Sequence, residues 1–278
     1  MDSQLREALR LFYSDNTPAS EKSKLNSQLQ QFGALDGAWR TCMSTLKDIM
    51  QTQLNQPDQT KLTPGAISLE YEIMYYLSVI EHHIRSFWWQ EAKISRSDHL
   101  QMQKDSLEIY GLLISSKTLK NENSDKSSIS NQTVGVLLPK YITEKLALLL
   151  AGTYLTEIRQ FLSSQLEQIF ANLQYRQYAY YVLKAFADQL QSPLVKLPVS
   201  KLNDFKQTFF EAVHMKYFDQ ILTDLAKLRN NGDLTAGLPN QQQRQLENSL
   251  FANTGLASFE NLTNLYVSTI GSIVSVQT

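Results

Sequence analysis

Cys42 is the only cysteine in the chain, which excludes an intramolecular disulfide and a cysteine-based zinc site. A lone thiol fits a reducing compartment. Glycine and proline are also scarce, 10 and 7 in 278 residues. That is too few for the many tight turns of a β-rich fold, and it points to long helices with few breaks. Neither sign of charge is in excess. With 26 basic and 27 acidic residues the net charge is −1, so the basic surplus of a non-specific nucleic-acid binder is missing. No apolar run approaches the ~18 residues that mark a membrane span. Met1-Asp2-Ser3 opens without the basic start and apolar stretch of a secretory leader. Glycine-rich phosphate loops, nucleophile elbows and metalloprotease motifs are absent. The expectation is a soluble protein of the cell interior, with no nucleic acid or membrane partner, no cofactor and no enzymatic activity.

What is present is helical periodicity, in a chain that is 42% apolar. Leu5, Leu9 and Phe12 open it, ended by Ser14-Asp15-Asn16-Thr17-Pro18. A second helix starts near Ser20 and carries Leu25, Leu29 and Phe32 to Gly33. Asp36 is the expected cap of a third, with Trp39, Met43, Leu46 and Met50 on one side. The fourth, about Ser68 to Trp89, repeats Ile73, Leu77, Ile80, Ile84 and Phe87 at steps of three and four. A fifth runs through Leu100, Leu107, Tyr110 and Ile114. Pro139 opens a sixth that Gly152 ends, and Leu155 to Leu173 mark a long seventh. An eighth covers Tyr178 to Leu190, and Ser200 caps a ninth reaching about Leu228. Phe259, Leu262, Leu265, Ile270 and Ile273 form the last stripe.

About ten helices at roughly forty to fifty residues per pair suit HEAT or armadillo units better than the 34-residue tetratricopeptide unit. The fold expected is therefore all-α. It is an α-solenoid of HEAT-like antiparallel helix pairs, a right-handed superhelix of about five pairs with one quasi-linear core. Residues 1–116 would be the N-terminal repeats and 117–135 a polar loop. Residues 136–230 would be further repeats, 231–257 an irregular linker, and 258–278 the last helix. That helix looks apolar and uncapped, which fits a solenoid continuing in a longer protein.

Three features invite chemistry, and each has a plainer reading. His82 and His83 are adjacent on one helix and so point in different directions, without a carboxylate at zinc-site spacing. Trp88 and Trp89 end a packed helix, where aromatic residues are usually core. Cys42 lies on an apolar stripe as a small buried hydrophobe. The fourth helix has a further stripe, Tyr71, Tyr75, Ser78, His82 and Arg85, whose plain reading is packing against an adjacent repeat and whose functional reading is a partner surface.

Leu11-Phe12-Tyr13, Asn26 to Arg40 (NSQLQQFGALDGAWR) and Tyr71 to Trp88 (YEIMYYLSVIEHHIRSFW) together resemble the start of importin-β-type nuclear transport receptors, the exportins most of all. A later segment from Leu183 (LKAFADQLQSPLVKLPVSKLNDFKQTFFEAVHMKYFDQIL) is similar to exportins in spacing and loop placement. The resemblance implies that the inner helices of the first repeats, about Ser20–Phe32, Ser68–Trp89 and Pro139–Gly152, grip Ran-GTP. Tyr71, Tyr75, Ser78, His82 and Arg85 would then face Ran, with Lys22 and Lys24 adding charge. It further implies a protein cargo such as actin–profilin, contact with nucleoporins, and shuttling between nucleus and cytoplasm. The mechanism would be linkage rather than catalysis, cargo and Ran-GTP raising each other's affinity until GTP is hydrolysed.

Overall fold

A computed structural model describes residues 2–52, 69–118, 139–171, 176–217, 219–224 and 259–277. Among the described residues every regular element is helical and no strand occurs. In chain order they are α1 (Asp2–Tyr13), α2 (Ala19–Ala34), α3 (Ala38–Thr52), α4 (Leu69–Phe87), α5 (Arg96–Thr118) and α6 (Lys140–Tyr154). A 3-10 turn at Leu155–Glu157 leads to α7 (Ile158–Ser163), α8 (Gln165–Ala171), α9 (Arg176–Gln191) and α10 (Val199–Lys216). A short helical stretch follows at 219–224, and α11 spans Phe259–Gln277. The polar loop expected at 117–135 lies outside the described residues, apart from Lys117 and Thr118, which extend α5. The linker expected at 231–257 lies outside them too.

The described helices form two compact units, one from α1 through α6 as far as Thr153 without the last two residues of α5, and one from Tyr154 through α11. The sequence reading had grouped α6 with the later repeats. Its bonds show why it belongs to the first unit. Tyr141 donates to Glu70 at 2.7 Å, Lys145 donates to Glu81 at 3.0 Å, and Gln103 of α5 donates to the Thr153 carbonyl at 3.1 Å. That last bond satisfies a carbonyl that the end of α6 leaves unpaired. Gly152 was expected to end this helix. Instead it is buried within it, and α6 continues to Tyr154.

In the first unit the core lies between α3 and α4. Trp39, Cys42, Met43, Leu46, Ile49 and Met50 on α3 meet Ile73, Tyr76, Leu77, Ile80 and Ile84 on α4, and all are buried. Burying each large side chain stabilises the fold by roughly 1.5–3 kcal/mol. The turn into α3 passes through Gly37 at φ 81°, a left-handed conformation in which a Cβ would be strained. The Asp36 carboxylate, expected as the α3 cap, instead receives Lys93 from beyond α4 at 2.7 Å. Cross-links join helices two apart in sequence. Arg40 and Lys47 of α3 donate to Asp98 and Glu108 of α5 at 2.7 and 2.6 Å. On α4, Tyr75 donates to the Leu29 carbonyl of α2 at 2.8 Å.

In the second unit the expected long helix from Leu155 to Leu173 is broken. Ser164 sits at φ −128°, ψ −68°, and the hydroxyls of Ser163 and Ser164 both donate to the Gln160 carbonyl, at 3.2 and 2.7 Å. Serines that hydrogen-bond nearby backbone compete with the helical ladder, and here they split α7 from α8. Pro198, not Ser200, occupies the cap position of α10. That helix stops at Lys216, short of the expected 228, where Tyr217 turns its hydroxyl onto the Leu162 carbonyl at 2.8 Å. Phe161, Phe186 and Phe209, all buried, meet as tilted rings with centroids 5.2 and 6.5 Å apart. α11 packs chiefly against α9, and Ser272 donates to Asp188 at 3.2 Å.

One polar network sits inside this unit. Both Asp224 carboxylate oxygens accept Arg176 Nη1, at 3.1 and 3.0 Å. Tyr180 and Gln220 donate to the same carboxylate at 2.6 and 2.8 Å. The guanidinium lies over the Phe170 ring, 5.4 Å from its centroid, and its Nε donates to the Phe170 carbonyl. Both ion-pair side chains are mostly buried, 15% and 11% exposed. Burial is affordable because nearly every polar atom there has a partner.

Candidate functional site

The candidate stripe on α4 follows directly from helix geometry. Positions 71, 75, 78, 82 and 85 step by four, three, four and three, so they fall on one face. The structure divides them. Tyr71, Ser78, His82 and Arg85 are exposed, whereas Tyr75 is half-buried and engaged by the Leu29 carbonyl. Burial raises the Tyr75 phenol far above its ordinary value, so its proton is held as a permanent donor to α2. Ser78 returns its hydroxyl to the Met74 carbonyl of its own helix at 2.7 Å.

Arg85 donates to Glu81 at 3.1 Å, and the other Glu81 oxygen takes Lys145 from α6. A single carboxylate thus holds two cations, one on each of two helices. Lys22 and Lys24 lie on α2, the first half-buried and the second exposed, and neither makes an ion pair among the described residues. The stripe therefore supplies three polar exposed groups and one exposed ring, and its fifth member is structural.

The two histidines diverge. His82 is exposed, while His83 is buried and donates from Nε2 to the Gly33 carbonyl at 2.9 Å, closing the C-terminal end of α2. They do not converge on a common point, and no cluster of three metal-ligating side chains occurs among the described residues. Desolvation lowers the His83 pKa below the usual imidazole range, although the Gly33 carbonyl opposes this by favouring the cation. The unfolded chain therefore binds a proton here more readily than the folded one. His83 contributes its full stability above the ordinary value near 6.5. That contribution is lost as pH falls from there toward the lowered folded value. Urea midpoints should decline across this window in the native chain and decline less in His83→Gln. Equal declines would show that the acid sensitivity arises elsewhere.

Core is the plainer reading of Trp88 and Trp89, and it holds for Trp88 alone. Trp88 is buried and stacks on His99 at 4.2 Å, and His99 donates to the Trp88 carbonyl at 2.8 Å. Trp89 is 50% exposed, because α4 ends at Phe87 and the next residues leave the helical register. Cys42 is buried, as its apolar stripe implied.

Two exposed tyrosines were missed. Tyr13 stacks on Tyr71 and Tyr141 bonds to Glu70, placing side chains of α1 and α6 beside the first turn of α4. Nothing in their local sequence marks them, since each is brought there by packing between helices far apart in the chain. Comparison with family models, curated proteins and solved structures finds no match to this chain.

Proposed function

We propose that the chain is a HEAT-like protein-binding scaffold of the importin-β/exportin kind, and not an enzyme. Its exposed α4 face, flanked by α2 and α6, takes Ran in the GTP state. By the same reading it helps carry protein cargo, actin–profilin among the candidates, out of the nucleus. The observation that carries the repeat reading is the order of helix neighbours. In stacked pairs, each helix touches its own partner and the equivalent helices of adjacent pairs. In the first unit α3 bonds to α5, while α4 bonds to α2 and α6. In the second, α7 packs on α10, α9 on α11, and α10 on α11. The exportin part of the reading rests on the residue wording around Ala38-Trp39-Arg40 and Tyr71 to Trp88.

The test is binding to Ran loaded with a non-hydrolysable GTP analogue, with Ran-GDP as control. Preference for the GTP form supports the reading. Arg85→Glu should then weaken binding about tenfold, or roughly 1.4 kcal/mol, with an unchanged melting temperature because Arg85 is 58% exposed. Unchanged affinity would remove Arg85 from the contact.

A second reading, a helical scaffold without Ran dependence, is favoured by one observation. Tyr75, within the stripe, is half-buried and held by the Leu29 carbonyl of α2. Absence of binding to either nucleotide form would select it.

A further inference from the structure

Three exposed tyrosines from three helices meet at one edge of the first unit. Tyr13, the last residue of α1, stacks on Tyr71 with centroids 4.6 Å apart and planes within 6°. Tyr141, in the first turn of α6, donates to Glu70, the residue before Tyr71, at 2.7 Å. The rings are 36%, 50% and 43% exposed for Tyr13, Tyr71 and Tyr141. Tyrosine is enriched at interaction sites because it offers large rigid contact area with a polar tip.

The charges around the strip indicate the chemistry of its occupant. Glu72 is neutralised by Arg6 at 2.8 Å, and Glu144 faces Lys140 at 3.8 Å. Glu70 has only the neutral phenol of Tyr141 and makes no ion pair among the described residues. The strip thus sets the negative faces of aromatic rings beside one carboxylate that no cation among the described residues pairs. A planar guanidinium matches both at once, stacking on a ring and sharing a charge-assisted hydrogen bond with the acid. An ammonium satisfies the charge but cannot stack.

We propose that Tyr13, Tyr71, Tyr141 and Glu70 form a docking site for an arginine-bearing segment of a protein partner, the guanidinium lying on Tyr71 and paired with Glu70. This rests on the reading of the chain as a protein-binding scaffold, and it asks nothing of Ran or its nucleotide. The titration below contains no Ran, so its failure and the failure of the Ran reading are separate results.

The full chain, labelled with 3-fluorotyrosine, is titrated with the peptide acetyl-Gly-Arg-Gly-Arg-Gly-amide and followed by fluorine NMR. Tyr→Phe variants assign the resonances. The signals of Tyr13, Tyr71 and Tyr141 should shift saturably and together. Replacing arginine by citrulline, which keeps the shape and removes the charge, should weaken binding about tenfold or more, in line with loss of a charge-assisted contact. Glu70→Gln should weaken it severalfold while far-UV circular dichroism stays unchanged. A citrulline or proline-rich peptide that binds equally well would overturn the proposal, as would shifts spread evenly over tyrosines elsewhere or no shift at all.

Discussion

Asp224→Ala is expected to destabilise the second unit by about 3–5 kcal/mol, the cost of leaving a buried cation without its counter-ion. Arg176 would keep the Phe170 carbonyl and ring but lose both carboxylate bonds, and the donors of Tyr180 and Gln220 would lose their shared acceptor. Hydrogen exchange reads this locally. Amides of α9 should lose protection by a factor of order 10² to 10³ if they open through unfolding of the unit. Asp224→Asn, which still accepts hydrogen bonds, should lose less. The double variant Arg176→Met with Asp224→Leu should recover much of the loss, since an apolar pair of similar volume removes both charges together. Unchanged exchange in the single variant would mean that the network adds nothing to the unit's stability.

Trp39→Ala should cost about 3–5 kcal/mol, the range for deleting a large aromatic side chain from a core. Trp39 is 1% exposed and sits between the other buried residues of α3. Trp39→Phe should cost far less than its lost volume suggests. The indole Nε1–H is buried without a hydrogen-bond partner among the described residues, and removing an unsatisfied donor returns about 1–3 kcal/mol of desolvation penalty. Part of the cation–π contact with Arg40, 4.8 Å from the ring centroid, would survive on phenylalanine. Calorimetric melting of both variants decides the point. A phenylalanine variant as unstable as the alanine one would show that ring volume, not the indole donor, governs this position.

Much of the helical architecture was legible because apolar spacing and the burial it produces are the same fact. On α3 and α4 the residues chosen from spacing are found in the core, except Phe87, which ends α4 only half-buried. Breaks were harder to read. The Ser163-Ser164 pair splits α7 from α8 through side-chain bonds to Gln160, whereas the apolar stripe runs on through the break without a mark. Gly152 looked like a stop signal, but its place inside α6 follows from packing that local propensity does not contain. The candidate site was legible as a face of one helix only. Spacing put Tyr71 and Tyr75 on a common stripe. It could not tell that the Leu29 carbonyl engages one hydroxyl, or that Tyr13 and Tyr141 arrive from 58 and 70 positions away, counted from 71 back to 13 and on to 141.

All three tryptophans of the chain, Trp39, Trp88 and Trp89, belong to the first unit, and the second contains none. The molecule therefore carries a built-in optical label on one unit alone. Light absorbed by indole at the red edge reports the state of α3 and α4 and is blind to α7 through α11. Within that signal, buried Trp39 and Trp88 should emit at shorter wavelength and resist iodide, while half-exposed Trp89 should emit to the red and be quenched readily. A denaturation curve recorded by indole emission and one recorded by far-UV dichroism would coincide only if both units lose structure together. Any separation between the curves measures the second unit by difference, with no added dye.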